Sequence, residues 1–521
     1  MAKYLVNYLD RQSHINKNIY GHFAEHLGRM VYDGFWVGKD SPVPNIGGVR
    51  KDIIDALKHI RVPLIRWPGG CFADTYHWKD GIGTERKNIA NRYWGGVVEN
   101  NSFGTHEFMD MCEEIGCGAY LSGNLGSGTI QEMVEWVEYI RDDIDTPMAQ
   151  LRRKNGREKP WKLEAFGIGN EVWGCGGQMT PEYYATQYRQ AAHFIKTATN
   201  GGIAAMLNGE HTEKLKLIAS GPNADDYSFT EKFIEGLNGG YQLNAAMNGF
   251  MADGMSCHYY SFPNMREALS AGGNFLTNLK TAEEFGEKDW YYLLNEAAKI
   301  DGIITQHDHV MSKFDPKKMI GLAVDEWGAW HGPEKGTNPA FLFQQNTMRD
   351  AVLAALSLNI FNKHSDRVHL TTIAQMINVL QSIILTEGDK MVLTPTYYIY
   401  DMYKDHQNAT LLGSYVEKHG VGEAGYVLNN IYESCSVDAE GNMLCTLCNT
   451  SLDNSETIDA TIFGTKIKSA AATILTDDPH ACNTFERPDR VGLKSWTVEI
   501  TDNGFRCELP AASVVSLKLA I

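Results

Sequence analysis

The stretch AFGIGNEVWG at residues 165–174 consists of a short apolar run followed at once by polar residues. Ala165–Ile168 predicts a buried strand, and the amide of Asn170 and the carboxylate of Glu171 come directly after its end. The two glycines begin like a dinucleotide-binding loop, but valine stands where the third glycine belongs, so we exclude that site. The stretch therefore indicates a strand whose carboxyl end carries polar groups suited to chemistry.

Eight runs of this kind, counting the one just described, alternate with segments of helical periodicity. Helical spacing recurs between them, for example behind a capping box of Thr129 and Glu132 and after a helix start at Thr180-Pro181. Eight such alternations over about 370 residues favour a (β/α)8 TIM barrel over a doubly wound sheet. The candidate strands are Ile19–Phe23, Leu64–Arg66, Ala119–Ser122, Ala165–Ile168, Leu215–Ala219, Gly254–His258, Ile320–Val324 and Val368–Thr372.

The pattern changes after about residue 400, where strands follow one another without helices. MLCTLCNTS (443–451), SWTVEITDNGFRCELP (495–510) and SVVSLKLAI (513–521) alternate apolar and polar residues, and so does the opening AKYLVNYL (2–9). Such segments are typical of a β-sandwich. We therefore predict an α/β chain in which residues 18–395 form the catalytic barrel, and residues 1–17 plus 396–521 form an all-β sandwich.

The composition is that of a folded, acidic protein. Of its 521 residues, 43% are hydrophobic and 21% are charged, which argues against disorder. Lys and Arg number 47 against 64 Asp and Glu, a net charge of −17, so we predict no nucleic-acid partner. No stretch approaches the roughly 18 apolar residues of a membrane span, so we predict no membrane association.

The N-terminal segment and the cysteines predict a cytoplasmic protein. MAKYLVNYLDRQSHINKNIYG lacks the basic region and apolar run of a signal peptide. The 10 cysteines are scattered along the chain and are interpreted as reduced thiols. Cys445 and Cys448 have C-x-x-C spacing, but no second pair accompanies them for zinc, so we assign them a structural role.

The candidates for chemistry follow the predicted barrel strands, because the active site of a TIM barrel lies at the carboxyl ends of its strands. Carboxylates, amides, an imidazole and aromatic rings all occur at these positions and would converge on one rim. The candidate residues are Glu25, Cys71, Asn170, Glu171, His258, Tyr260, Glu326 and Gln375.

Two of these carboxylates, Glu171 and Glu326, each lie close to a tryptophan at the end of a predicted strand. Glycoside hydrolysis needs one carboxylic acid to protonate the leaving oxygen and one carboxylate to attack or to activate water. A single glutamate is best interpreted as surface charge, but two at barrel-compatible positions favour this chemistry. Trp67, Trp173 and Trp327 are the rings that we expect near a sugar.

No metal site is predicted. His22 and His26 have the i, i+4 spacing of zinc ligands, but only a helix would place them on one face, and this segment indicates a strand followed by a loop. We also expect no organic cofactor, because neither a phosphate loop nor a dinucleotide motif is present.

Five motifs together resemble the α-L-arabinofuranosidases of glycoside hydrolase family 51. They are IYGHFAEHLGR (19–29), RWPGGCFADTYHWKDGIG (66–83), GIGNEVWG (167–174), SCHYY (256–260) and VDEWGAW (324–330). The resemblance implies a (β/α)8 barrel with a C-terminal jelly-roll-like sandwich, retention of anomeric configuration and no cofactor. It also implies a homo-oligomer, commonly a hexamer.

The resemblance implies roles for matching residues. Glu171 resembles the general acid/base of the family, and Glu326 resembles its nucleophile. Asn170 corresponds to the residue that binds the sugar 2-hydroxyl, and Glu25 to a residue that holds arabinose hydroxyls deep in the pocket.

Four further positions complete the predicted substrate site. The resemblance implies that His258 and Tyr260 flank the catalytic carboxylates and that Gln375 lies near the nucleophile. Many members of the family have asparagine where this chain has Cys71. A thiol is a weak hydrogen-bond donor, so the contribution of Cys71 to substrate selectivity stays open.

The implied activity is release of terminal non-reducing α-L-arabinofuranosyl groups from arabinoxylan- or arabinan-derived oligosaccharides by double displacement. Two alternatives stay open at this point: a β-xylosidase or endo-β-glucanase on the same barrel, and a carbohydrate-binding protein without catalysis. The sequence does not distinguish 1,2, 1,3 and 1,5 linkages, nor polymer from oligosaccharide.

Overall fold

The computed structural model of the chain describes residues 1–200, 214–238, 252–423 and 425–521. Within these ranges eight parallel strands close a barrel, and they follow one another around it in chain order. The predicted TIM barrel is therefore confirmed. The first strand, β1 (Ala2–His14), belongs to a second sheet, and the barrel strands are β2 (Gly21–Phe23), β3 (Leu64–Trp67), β4 (Gly118–Gly123), β5 (Leu163–Ile168), β6 (Lys216–Ala219), β7 (Gly254–Ser261), β8 (Gly321–Ala329) and β9 (Val368–Ile373).

Helices form the crossovers that parallel strands require. In α3, the Thr129 hydroxyl accepts a hydrogen bond from the Glu132 N–H at 3.1 Å, as the capping pattern predicts. The helices are α1 (Lys51–His59), α2 (Thr105–Ile115), α3 (Ile130–Arg141), α4 (Pro147–Lys154), α5 (Pro181–Asn200), α6 (Tyr227–Asn238), α7 (Met265–Ser270), α8 (Phe275–Asn278), α9 (Glu287–Ala298), α10 (Ile300–Ser312), α11 (Met348–Lys363) and α12 (Pro395–Tyr403). None of the described helices is long and apolar enough to cross a membrane.

Each predicted barrel strand overlaps an observed one, but some boundaries differ. β2 begins only at Gly21, because residues Lys17–Tyr20 form a 3-10 helix. β7 and β8 run further than predicted, so His258, the last residue of its predicted strand, and Glu326, predicted to follow its strand, both lie inside strands. These two residues are register partners across the β7–β8 ladder, which fixes their side chains next to each other.

The second sheet confirms the predicted β-sandwich. Ten strands of the described chain form it: β1, β10 (Thr410–Val416), β11 (Ile431–Val437), β12 (Met443–Asn449), β13 (Glu456–Phe463), β14 (Ser469–Leu475), β15 (Lys494–Trp496), β16 (Glu499–Thr501), β17 (Gly504–Leu509) and β18 (Ser513–Ala520). Their spatial order is β15-β14-β18-β12-β11-β10-β1-β13-β17-β16. β1, which contains AKYLVNYL, lies inside this sheet as expected, and it pairs antiparallel with β10 and parallel with β13.

This arrangement agrees with the jelly-roll-like sandwich that the family resemblance implies. The division of the chain into residues 18–395 and residues 1–17 plus 396–521 stays a prediction about domain boundaries. β1 lies in the ten-stranded sheet, while α12 begins at Pro395, where the predicted boundary falls.

Helix α11 joins the barrel to the sandwich through the buried side chain of Asn359. Its Oδ1 accepts hydrogen bonds from the hydroxyls of Ser434 at 2.8 Å and Thr446 at 2.7 Å. Its Nδ2 donates to the carbonyl of Tyr432 at 3.2 Å. Because these partners lie on β11 and β12, one side chain connects three elements at the junction.

We expect Asn359→Ala to lower the free energy of unfolding by about 1–3 kcal/mol, because it leaves buried hydroxyl and carbonyl groups without their partner. Urea unfolding followed by circular dichroism measures the change. Gln12→Ala on the exposed part of β1 is the control and should change stability by less than about 0.5 kcal/mol. An unchanged unfolding midpoint in Asn359→Ala would show that this network does not stabilise the junction.

Candidate active site

The carboxyl ends of the barrel strands bring together all eight predicted site residues. Parallel strands that follow one another around a barrel end on the same rim, so side chains far apart in sequence become neighbours. Direct contacts link Glu326 to Tyr260 and His258, Glu171 to His258, and Glu25 to Gln375. Asn170 and Cys71 join the same cluster through the contacts described below.

Glu326 is held by two donors on opposite sides of its carboxylate. Arg66 Nη1 donates to Oε1 at 2.9 Å, and the Tyr260 hydroxyl donates to Oε2 at 2.7 Å. The Glu326 side chain is only 8% exposed. Its carboxylate is therefore fixed in one orientation with little water around it.

Arg66 connects this carboxylate to the neighbouring strands. Its Nη2 donates to Asn170 Oδ1 at 2.7 Å, and Nη1 also donates to the carbonyl of Asp325 at 3.0 Å. Burial alone would lower the pKa of the guanidinium, but the charges of Asp325 and Glu326 outweigh it and hold the pKa above its usual value. Arg66 is therefore a permanent buried cation, paired with two carboxylates.

Glu171 lies directly after β5, in a backbone conformation with a φ of 38°. Positive φ is costly for a residue with a side chain, and such residues are found disproportionately at functional sites. Glu171 Oε1 lies 2.9 Å from His258 Nδ1, and its side chain is 18% exposed. The nearest carboxylate oxygens of Glu171 and Glu326 lie within 4.8 Å of each other.

His258 lies between three carboxylates. Nδ1 is 2.9 Å from Glu171 Oε1 and 3.5 Å from Glu326 Oε2, while Nε2 is 3.2 Å from Asp325 Oδ1. Burial alone would lower the pKa of His258, but the charge of Glu326 and the contacts with Asp325 and Glu171 raise it to about 10. The imidazole is therefore protonated at neutral pH, and both of its nitrogens act as donors.

The buried carboxylate of Asp325 stabilises the positive charge of His258. Its carboxylate accepts a hydrogen bond from the Tyr120 hydroxyl at 2.7 Å and is almost completely buried. Burial alone would raise its pKa, but Arg66 and His258 hold the pKa below the usual value. Sequence patterns do not identify Asp325, because strict alternation along a strand would place Asp325 and Glu326 on opposite faces. A register shift between Val324 and Trp327 breaks that alternation.

Glu25 occupies a separate, fully buried position beside the carboxylate pair. It accepts hydrogen bonds from the N–H groups of Gly70 and Phe72 at 3.1 Å, from Trp94 Nε1 at 2.9 Å and from Gln375 Nε2 at 3.0 Å. Burial and the charge of Glu326 raise the pKa of Glu25 to about 7, in spite of these donors. Near neutral pH this carboxyl group can both accept and donate hydrogen bonds.

Two of the three tryptophans expected near a sugar face the helices instead, whereas the expectation for Trp173, which is partly exposed in the loop after β5, stays a prediction. Trp67 stacks against α2 and Trp327 packs edge-to-face against α11, so the expectation that these rings approach a sugar is wrong. Successive strand residues alternate across the barrel wall, and since Arg66 faces inward, its neighbour faces the helices. Trp94, which no sequence motif identifies, contacts Glu25 from a hairpin of Ile89–Asn91 and Val97–Glu99.

Cys71 and Cys175 form a disulfide bond, so the interpretation of all cysteines as reduced thiols is wrong for this pair. The loops after β3 and β5 bring their Cα atoms to 5.6 Å, within the usual range for a disulfide. The remaining 8 cysteines are free. Bonded in this way, Cys71 has no S–H group with which to donate to a sugar, and its predicted role in binding substrate stays a prediction.

Two groups of side chains have the spacing of metal ligands among the described residues. They are Cys71, Glu171 and Cys175, and Glu171, His258 and Glu326. Disulfide sulfurs are not thiolates, and a protonated imidazole has no free lone pair, so neither group offers a full set of ligands as it stands. His22 and His26 are both buried, and burial lowers the pKa of His22 to about 3.

We expect Arg66→Met to destabilise the fold by about 3–5 kcal/mol, since it leaves buried carboxylates without their counter-charge. The loss should be largest near neutral pH and smaller in acid. The stabilisation of Asp325 is present above the pKa of an unfolded Asp, about 3.9, and disappears as the pH falls through the lower folded value. Urea unfolding at about pH 7 and at about pH 3 measures both effects.

The matched control is Arg506→Met, which removes an arginine that is 46% exposed and pairs with Asp459 at the surface. Exposed pairs contribute at most about 1 kcal/mol. Equal losses in the two variants would contradict the assignment of Arg66 as the central buried cation.

Two family descriptions match the chain. "Alpha-L-arabinofuranosidase 1 domain" matches residues 56–267, and "Alpha-L-arabinofuranosidase C-terminal domain" matches residues 325–513. An "Intracellular exo-alpha-L-arabinofuranosidase" of Bacteroides ovatus is 42% identical over 97% of this chain and 93% of its own length. Alpha-L-arabinofuranosidase C of Emericella nidulans is 32% identical over 78% of this chain and 75% of its own length.

Solved structures show the same likeness over the whole chain. A GH51 arabinofuranosidase from Xanthomonas axonopodis pv. citri superposes with a TM-score of 0.91 at 38% identity, covering 100% of this chain and 99% of its own. An α-L-arabinofuranosidase from Thermotoga maritima, solved as an arabinose complex, gives a TM-score of 0.82 at 28% identity, with 100% of both chains covered. The fold, the carboxylate cluster and these relatives agree, and the chain belongs to glycoside hydrolase family 51, the α-L-arabinofuranosidases.

Proposed function

We propose that the protein releases terminal non-reducing α-L-arabinofuranosyl groups from arabinoxylan- or arabinan-derived oligosaccharides with retention of configuration. The observation that carries this proposal is the proximity of Glu171 and Glu326, whose nearest oxygens lie within 4.8 Å. Retaining enzymes separate their carboxyl groups by about 5–5.5 Å, whereas inverting enzymes need about 6.5–9.5 Å to admit water between them. The names of the relatives indicate that the sugar released is arabinofuranose, and the word "exo" in one of them supports action at chain ends.

Glu326 is the proposed nucleophile. Attack on the anomeric carbon requires an ionised carboxylate in a fixed orientation, and Arg66 and Tyr260 supply the donors that hold it. Low exposure limits competition from water during attack. The first step forms a bond from a Glu326 oxygen to the anomeric carbon and breaks the glycosidic bond.

Glu171 is the proposed general acid/base. Its side chain is more exposed than that of Glu326, so it can reach both the leaving oxygen and the incoming water. His258 donates to Oε1 and fixes the carboxyl group, which leaves Oε2 to carry the transferred proton. In the second step Glu171 takes a proton from water, and that water cleaves the glycosyl-enzyme.

The remaining polar groups are proposed to bind the sugar. Asn170 is oriented by Arg66 and would bind the 2-hydroxyl, where hydrogen bonds strengthen in the transition state. Glu25 and Gln375 hydrogen-bond to each other beside the carboxylate pair and would hold the other hydroxyls. Trp94, which donates to Glu25, would position that carboxyl group.

We also propose a cytoplasmic location and a homo-oligomer, with a hexamer expected from the family. The relative from Bacteroides ovatus is named intracellular. On the outer face of β1, β10 and β13, the side chains of Leu5, Leu9, Tyr415 and Phe463 are between 40% and 72% exposed, a surface that association with another copy could cover.

Azide rescue tests the two catalytic roles. We expect Glu326→Ala and Glu171→Ala each to lose at least about a thousandfold in kcat on an aryl α-L-arabinofuranoside with a poor leaving group. With a 2,4-dinitrophenyl leaving group and azide, Glu326→Ala should give the β-azide, because azide replaces the nucleophile directly. Glu171→Ala should give the α-azide, because azide attacks the glycosyl-enzyme from the opposite face.

Nuclear magnetic resonance of the products assigns the configuration of each azide. Glu135→Ala, which removes a surface glutamate paired with Lys79, is the control and should keep wild-type rates. If Glu326→Ala gave the α-azide and Glu171→Ala gave the β-azide, the two roles would have to be exchanged. Near-normal activity of Glu326→Ala would exclude Glu326 as the nucleophile.

A substrate panel tests the specificity. We expect hydrolysis of an aryl α-L-arabinofuranoside to exceed hydrolysis of an aryl β-xyloside or a soluble β-glucan by at least about a hundredfold in kcat/KM, since differential binding of the sugar sets this ratio. Arabinose analysis after digestion of defined arabinoxylo- and arabino-oligosaccharides then gives the linkage preference. Faster hydrolysis of the xyloside or the glucan would favour those alternatives, and binding of arabinose without turnover would favour a binding protein.

A further inference from the structure

The disulfide between Cys71 and Cys175 adjoins the proposed acid/base. Cys71 begins the 3-10 helix Cys71–Thr75 after β3, and Cys175 lies in the loop after β5, four residues beyond Glu171. Both cysteines are partly exposed, so a small thiol can reach them. The bond therefore connects two catalytic loops across a sequence separation of 104 residues.

Both sulfur atoms face the carboxylate oxygen that His258 does not contact. Cys175 Sγ lies 3.4 Å and Cys71 Sγ lies 3.8 Å from Glu171 Oε2. Asn170 Nδ2 lies 3.8 Å from Cys175 Sγ, so the sugar-binding amide contacts the same bond. In the proposed mechanism Oε2 is the oxygen that carries the transferred proton.

The oxidation state of the pair determines whether Oε2 has a donor. A disulfide has no S–H group, so the bonded sulfurs offer Oε2 no hydrogen bond. Two thiols at these distances can donate to Oε2, and a hydrogen bond to the charged form of a carboxyl group favours that form. Reduction also removes the covalent restraint that holds the Glu171 loop against the loop after β3.

We propose that Cys71 and Cys175 form a redox-sensitive positioning pair for Glu171, and that reduction of their disulfide weakens Glu171 as a general acid. This inference rests on the proposed function, in which Glu171 protonates the leaving group. The other titratable groups that face Glu171 are His258, Glu326, Asp74 and Tyr260, and thiol–disulfide exchange does not alter them chemically.

The redox step is a thiol–disulfide exchange, and a dithiol or a low-molecular-weight thiol is the co-reactant. A thiolate of the reductant attacks one sulfur of the pair and releases the other as a thiolate, which takes up a proton. A second thiol then breaks the mixed disulfide. The protein gains two electrons and two protons in all, and the reductant becomes a disulfide.

The test compares pH profiles of kcat/KM for the full-length enzyme, oxidised in air or reduced with dithiothreitol, with a chelator present to keep metals off the thiols. We expect reduction to move the alkaline limb to lower pH by about half a unit to one unit on a phenyl arabinofuranoside. At pH values above that limb, kcat/KM of the reduced enzyme should be roughly three- to tenfold lower than that of the oxidised enzyme. On a 2,4-dinitrophenyl arabinofuranoside, which departs without protonation, the profile should be almost unchanged.

Two variants complete the design. Cys71→Ala/Cys175→Ala should show one profile with or without reductant, because it has neither a disulfide nor a thiol donor. Cys435→Ala should keep the wild-type response, since it removes a thiol from the buried Cys435–Cys445 pair of the sandwich, where the sulfurs lie 2.9 Å apart. Alkylation and mass spectrometry count the thiols in each sample.

Four outcomes would overturn the inference: no disulfide after oxidation, no reduction of the folded enzyme, identical phenyl profiles in both states, or an equal shift on both substrates. An equal shift would indicate a general loss of structure. Failure to hydrolyse any arabinofuranoside in either state would instead overturn the proposed function, so the two failures are distinguishable.

Discussion

The buried guanidinium of Arg66 is the interaction on which the catalytic centre depends. It lies on β3, contacts Glu326 on β8, and hydrogen-bonds to Asn170 after β5. Carboxylates in a barrel interior are costly unless a cation compensates them, because burial favours the neutral acid. Arg66 removes that cost for Asp325 and Glu326, and at the same time it fixes the distances between three strands.

A second buried cation, His258, contacts three carboxylates of the site. Its position between Glu171, Glu326 and Asp325 places positive charge close to the proposed acid/base and to the proposed nucleophile at once. Neither Arg66 nor His258 is exposed, so the electrostatics of the site depend on fixed dipoles and charges more than on solvent. Preorganised charge of this kind is commonly the largest contribution to catalysis.

Rigid elements hold this arrangement. The site residues lie on barrel strands or within a few residues of their ends, and the hydrogen-bonded ladder fixes each strand relative to its neighbours. The sandwich completes the support, because α11 packs between the barrel and β11 and β12, with Asn359 bonded to both strands. The loops after β3 and β5 are less constrained by ladders, and the Cys71–Cys175 disulfide supplies a covalent restraint there.

Sequence patterns predict the fold class and the candidates for the site. Periodicity separates the barrel from the sandwich, because alternating strands and helices can close only a limited set of architectures. Strand ends such as Ile168-Gly169-Asn170-Glu171 identify candidate groups, because parallel strands present their carboxyl ends on one rim.

Which of these groups touch, and which charges they carry, follows from the folded arrangement of the chain and not from sequence patterns. The register shift that turns Asp325 inward, the hairpin that brings Trp94 to Glu25, and the pairing of Cys71 with Cys175 all join residues distant in sequence. None of these three features produces a recognisable pattern in the local sequence. A pKa, a disulfide or a hydrogen bond depends on the distance between side chains and on their burial, and the folded chain alone fixes both.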